Sequence, residues 1–188
     1  MLYEIIAFLL DVAVGLLGGA CLLRLYMQYQ RIGFGNPIGR FVFALSDWIV
    51  LPLRKALRPV GRIDTASGVA AYLLVLAQMI VLYALMSRGL AGFASVPVAA
   101  LLGAVRLALM GLFLLVLLYA VLSWFNPDSP VYDLFDRICA PALRPFRRLL
   151  TLVGGVDLSP LALMVVLQIG LILVRRLLAV ALGLPFFS

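Results

Sequence analysis

The chain has no histidine among its 188 residues. That removes the side chain most often used to bind zinc or haem and to act as a general base near neutral pH, so metalloenzyme and Ser-His chemistry drop out. Cysteine is nearly missing too. Cys21 lies in an apolar run and Cys139 in a separate segment, a pair that offers no disulfide framework and reads as two packing thiols. Charge is scarce at 12% of residues, and acidic charge scarcer still, with eight Asp and Glu against fifteen Lys and Arg. No basic stretch precedes the first apolar run and no small-residue cleavage pattern follows it before Tyr26, so that run is expected to stay as a membrane span rather than leave as a secretory signal.

What the chain has in excess is apolar side chain. Hydrophobic residues make up 65% of it and the mean hydropathy is +1.18, far from the roughly 45–50% apolar content of soluble domains. This composition implies an integral membrane protein. A net charge of +7 would point to nucleic acid in a soluble chain. Here it follows first from the retention of Lys and Arg in cytoplasmic loops and from attraction to anionic headgroups, so no nucleic-acid partner is expected.

Four runs, about 2–26, 66–87, 98–124 and 160–176, are long and apolar enough to be spans, since about 20 residues at 1.5 Å each cover the hydrocarbon core. Arg175 and Arg176 either end the fourth or lie within it with their side chains snorkelling outward. In the first, Gly15 and Gly19 form a small-xxx-small pair that would let two helix backbones approach closely. Two further stretches, 38–59 and 131–150, are interrupted by charge and read as interfacial amphipathic helices. In the second of them Asp133, Asp136, Arg137 and Arg144 share a face, while Leu134, Phe135, Ile138 and Cys139 point away. The fold class is therefore an all-α membrane protein with four transmembrane helices.

Pro52-Leu53-Arg54-Lys55-Ala56-Leu57, followed by Gly61 and Asp64, recurs without a gap as Pro145-Phe146-Arg147-Arg148-Leu149-Leu150, Gly154 and Asp157, at a constant offset of 93 residues. Tyr26 and Tyr119 keep the same offset, and only the turn dipeptides Asn36-Pro37 and Asn126-Pro127 break it. The spacing implies two tandem two-span repeats, 1–88 and 89–188, each with an interfacial helix between its spans. Two spans per repeat bring both repeats in from the same side, with a pseudo-axis along the membrane normal. The basic residues crowd into the two long loops, which places those loops in the cytoplasm and both termini outside.

Arg54, Lys55, Arg58, Arg144, Arg147 and Arg148 are expected to contact anionic lipid headgroups or a partner, the plainer alternative being charge that only sets topology. Gly61, Gly154 and Gly155 are expected to turn the chain back into the membrane. Asp64 or Thr65 before the second span, and Asp157, Ser159 and Pro160 before the fourth, would cap and start the spans that follow. Asp11 and Arg106 occupy nearly equivalent repeat positions and form a candidate intramembrane ion pair or a polar site between the repeats. No catalytic set, cofactor or metal ligand set is expected.

Ser123-Trp124-Phe125-Asn126-Pro127 and Pro141-Ala142-Leu143-Arg144-Pro145-Phe146-Arg147-Arg148, leading to Gly154-Gly155-Val156-Asp157-Leu158-Ser159-Pro160, give a chain of tandem units that resembles the YggT family, also called YlmG, of bacterial and plastid membrane proteins. The first copy departs from the pattern, with Arg62-Ile63-Asp64-Thr65-Ala66-Ser67 in place of the Gly-Val-Asp-Leu-Ser-Pro ending. The resemblance implies a small inner-membrane protein without an established enzymatic activity, associated with envelope organisation, cell division and cation or osmotic tolerance. It also implies, through plastid relatives, links to cytochrome maturation and nucleoid distribution, although a chain without histidine cannot ligate haem through one. The expectation is a non-enzymatic scaffold or assembly factor that recruits lipids or a protein partner. An oligomeric ion channel or transport-assisting protein, with the pseudo-twofold interface lining a path, is the alternative.

Overall fold

The computed structural model describes residues 2–57, 64–85, 90–125, 128–149 and 157–182. Six α-helices follow one another among the described residues: α1 (Leu2–Tyr29), α2 (Pro37–Ala56), α3 (Thr65–Leu85), α4 (Val96–Phe125), α5 (Pro130–Leu149) and α6 (Ser159–Ala181), with a 3-10 turn at Leu90–Ser95. No strand occurs among the described residues. Four stretches, Tyr3–Tyr29, Thr65–Leu85, Phe93–Phe125 and Ser159–Ala181, are helices long and apolar enough to cross a membrane. As the expected bounds 38–59 and 131–150 require, α2 continues through Pro52, to Ala56, and α5 continues through Pro141 and Pro145. A proline removes one helix hydrogen bond, and α5 nevertheless buries Leu143 beyond Pro141, whereas the buried residues of α2 all precede Pro52. Arg175 and Arg176 lie within α6, which runs on to Ala181.

The chain forms two compact units, residues 1–108 with 174–188, and residues 109–173. In the first, α1 packs on α2 and α3, and α2 packs on α3. The inward ridge of α1 is Val14, Gly18, Cys21 and Leu25, at the i, i+4, i+7, i+11 spacing of one helix face. Cys21 joins Val50, Ala66, Ala70 and Ala71 in one cluster, and Val14 joins Val75 and Ala100 in another. These side chains are small because the helices lie close. A Cβ at Gly18 would come within 2.7 Å of Leu107, and one at Gly103 within 2.7 Å of Val75. Gly15 and Gly19 sit off this ridge and face open space, so the close approach belongs to Gly18 and not to the expected pair.

α2 begins at an Asn36 cap, whose side chain accepts the Gly39 N–H at 2.7 Å, with Pro37 as first helical residue. Its buried face is Gly39, Val42, Ser46 and Val50. In the second unit, Ser129 caps α5 by accepting the Tyr132 N–H at 3.1 Å. α5 buries Phe135, Ile138, Cys139 and Leu143 and exposes Asp133, Arg137, Arg144, Arg147 and Arg148, while Leu134 and Asp136, expected on opposite faces, are both half-buried.

A Cβ at Gly39 would overlap the backbone carbonyl of Phe34, which cannot move aside as a side-chain tip can. Gly39→Ala is expected to lower stability by about 1–3 kcal/mol, the usual cost of overpacking. Gly15→Ala, in open space on a helix, is expected to be neutral or to stabilise. Thermal unfolding of the two variants in one detergent checks both.

Candidate functional site

In the first unit, polar side chains gather where α1 ends, α2 ends and α3 begins. Arg54, in the last turn of α2, pairs through Nη2 with Oδ2 of Asp64, while its Nε lies 3.4 Å from Oδ1. The same Nη2 donates to Gln28 Oε1 of α1 at 3.1 Å. Asp64 is 1% exposed and caps α3, taking a hydrogen bond from the Ser67 hydroxyl at 2.7 Å. One carboxylate therefore ends one helix and starts the next.

Arg24 of α1 enters the same cluster and is 2% exposed. Its Nη1 donates to Ser46 Oγ at 2.9 Å and Asp47 Oδ1 at 2.6 Å, and its Nε lies 3.8 Å from Asp64 Oδ2. Its guanidinium carbon stands 4.6 Å from the centroid of the Phe43 ring, which stacks on Phe34. Two guanidinium groups thus face two carboxylates, a balanced set, which is the condition under which buried charge is tolerated. Burial works against the charge on Asp64, but hydrogen bonds from Arg54 and Ser67 outweigh it and hold the carboxyl below its ordinary value of 3.8.

The second unit repeats the pairing at the same ten-residue spacing. Arg147, near the end of α5, has Nε 3.3 Å from Asp157 Oδ2, and its Nη2 donates to Asp136 at 2.9 Å and to the Tyr119 hydroxyl of α4 at 2.5 Å. Tyr119 stacks on Tyr132 of α5, ring centroids 5.4 Å apart. Burial opposes the charge on Arg147, yet its bond to Asp136 and the charges of its neighbours hold the guanidinium above its ordinary value. Asp157 is likewise partly desolvated, but bonds from Ser159 and Arg147 hold it below the usual carboxylate range. The Cys139 thiol is pushed up to about 12, first by burial and then by the Asp136 charge, so it stays protonated and unreactive.

Sequence reasoning assigns Arg54 and Arg147 to headgroup contact and Asp64 and Asp157 to capping; the structure brings each arginine onto its aspartate. Lys55, Arg144 and Arg148 are exposed. Arg58, Gly61, Gly154 and Gly155 lie outside the described residues. Ser159 is expected to cap α6, but its side chain is buried and Asp157 takes the cap by accepting the Ser159 N–H at 2.9 Å. Pro160 follows as the second residue of that helix and is buried.

Asp11 and Arg106 do not pair. Asp11 faces α3, where the buried Gln78 amide donates to it at 2.5 Å, and Arg106 is exposed on α4. An offset close to the repeat's 93 residues does not turn the two side chains toward each other. Sequence reasoning misses Arg24, Gln28, Ser46 and Asp47 as members of the site. Their signal is legible in retrospect: an arginine inside a span requires a partner, and Ser46-Asp47 interrupts the apolar run of α2.

The family model described as CCB3/YggT matches residues 3–85 and 98–178, one stretch through the first two spans and one through the last two. The chain belongs to the CCB3/YggT family. An Escherichia coli K12 relative named "Uncharacterized protein YggT" is 33% identical over 165 residues, 87% of this chain and 86% of that one. A Vibrio alginolyticus relative, "Uncharacterized protein in proC 3'region", is 33% identical over 86% of this chain and 89% of its own. A Pseudomonas aeruginosa relative is 36% identical over 87% and 85% respectively. No solved structure matches this CCB3/YggT chain.

Among the described residues of this CCB3/YggT protein, Asp64 has the most partners of any carboxylate, and its loss would strand Arg24 and Arg54. Asp64→Asn is expected to cost about 3–5 kcal/mol, as for a buried pair broken on one side. The sign with pH follows from the depressed value. Asp64's contribution is complete above its unfolded pKa and disappears as pH falls through the lower folded one. Thermal stability in detergent should therefore fall more steeply for the parent than for Asp64→Asn between about pH 5 and about pH 3.

Proposed function

We propose that this CCB3/YggT-family protein is a non-enzymatic scaffold or assembly factor of the bacterial inner membrane, working in envelope organisation or stress tolerance. Its chain is two tandem two-span repeats, with α2 and α5 lying along the cytoplasmic surface and both termini outside. The arginine–aspartate pairs hold each amphipathic helix to its spans, and the free basic residues, Lys55, Arg144 and Arg148, meet anionic headgroups or a recruited protein. The constant offset of 93 residues, the two stretches matched by the family model and the shared ten-residue Arg–Asp spacing support the duplication. The crowding of Lys and Arg into the two long loops supports the orientation.

The observation that carries the reading is α5. Arg147 of that helix is committed inward to Asp157, Asp136 and Tyr119, whereas Arg137, Arg144 and Arg148 stand outward with the apolar face buried beneath them. A helix of that kind, fixed beside spans, offers a rigid basic strip at headgroup level.

Native mass spectrometry of protein extracted from vesicles of phosphatidylethanolamine and phosphatidylglycerol tests the proposal. The parent is expected to retain phosphatidylglycerol above its bulk fraction, and Arg144→Gln with Arg148→Gln to lose the excess. Retention at the bulk ratio by the parent would remove the lipid arm, leaving stoichiometric capture of a protein partner to support recruitment. Potassium or sodium flux above that of empty vesicles would overturn a scaffold-only role in favour of an ion-conducting one.

A further inference from the structure

The spans hold few charges, and most are accounted for. Glu4 lies at the start of α1, Arg24 is buried and paired, and Arg175 and Arg176 lie in the last two turns of α6. Asp11 and Arg106 are different. Asp11 is nine residues into α1 and Arg106 ten residues into α4, about 13 and 15 Å along their helices. Both are exposed, among lipid-facing apolar side chains that include Phe8, Val12, Leu101 and Val105. Asp11 has one neutral partner, Gln78, and no ion pair among the described residues includes either charge. A charge left in the hydrocarbon is costly, which is why intramembrane charges face protein or water.

We propose that this surface is an interface with a second copy of the chain, in which Asp11 of each copy meets Arg106 of the other. A patch that carries one acid and one base is complementary to itself, which is what a two-fold interface requires. The two helices are neighbours, since Leu107 of α4 meets α1 at Gly18. That contact sets Arg106 about six residues, roughly 9 Å, further along the span than Asp11. Side chains on both helices lean toward the N-terminus, so the longer arginine side chain reaches back further than the aspartate does and narrows that gap. A two-fold axis along the membrane normal keeps these depths and forms two ion pairs, with the Gln78 bond retained to orient each Asp11.

The test is single-molecule photobleaching of the full chain at low density in liposomes. The parent is expected to dimerise, and Asp11→Asn and Arg106→Gln each to weaken the dimer at least about ten-fold. Arg106→Lys, which keeps the charge, is expected to retain most of the affinity, and Asp11→Arg with Arg106→Asp to restore it. A parent that is monomeric, or a dimer indifferent to both neutralisations, overturns the proposal. So does a loss on neutralisation that Arg106→Lys shares in full. None of these outcomes depends on lipid retention by α5, so this interface and the recruitment role stand or fall separately.

Discussion

The structure rests on the pairing of an arginine at the end of an amphipathic helix with the aspartate that begins the next span. The buried apolar face of α2 packs on α1 and α3 but does not by itself fix how far the helix slides or turns against them. The Arg54–Asp64 pair removes that freedom. It joins the last turn of α2 to the first residue before α3, and through Gln28 it reaches α1 as well. Asp64 also satisfies the exposed N–H end of α3, so the same carboxylate sets where α3 starts and where α2 stops.

The pairing is a positional device more than a source of net stability. Burying opposite charges costs desolvation that their attraction roughly repays, and apolar side chains of the same volume could do as well. What apolar side chains cannot do is penalise every other arrangement. If α2 slid or rotated, Arg24 and Asp64, both almost fully buried, would be left unpaired next to the hydrocarbon. Arg24 makes that penalty large because it holds Ser46 and Asp47 of α2 from within α1. The second unit follows the same logic with different parts. Tyr119 and Asp136 brace Arg147 there, and its site is more open, with the arginine about one-third exposed.

Much of this is legible in the sequence. The four spans and two amphipathic helices appear within a few residues of their observed ends, because hydropathy and helical periodicity are local properties. The recurrence of Pro52 to Asp64 as Pro145 to Asp157 marks the stretch that matters. What the recurrence does not show is that its arginine and its aspartate touch, since ten residues and a turn lie between them. Basic residues beside a membrane read first as headgroup ligands, and that reading holds no information about which arginine turns inward. Arg24 was visible as a charge in a span, but its partners lie more than twenty residues away and only packing selects them. Ser159 and Asp11 teach the same lesson: a residue type marks a polar need, and the fold decides which neighbour meets it.

In this account the clasp couples Arg54 and Asp64 to each other and fixes α2 against the spans. A double-mutant cycle on that pair, Arg54→Met and Asp64→Asn singly and together, followed by unfolding in detergent, measures the coupling directly. An interaction energy in the upper part of the roughly 0.5–3 kcal/mol range for contacting residues is expected, with the double variant scarcely worse than Asp64→Asn alone. Strictly additive losses would contradict it, because they would mean that the two residues act independently and that α2 is held in place by its apolar face alone.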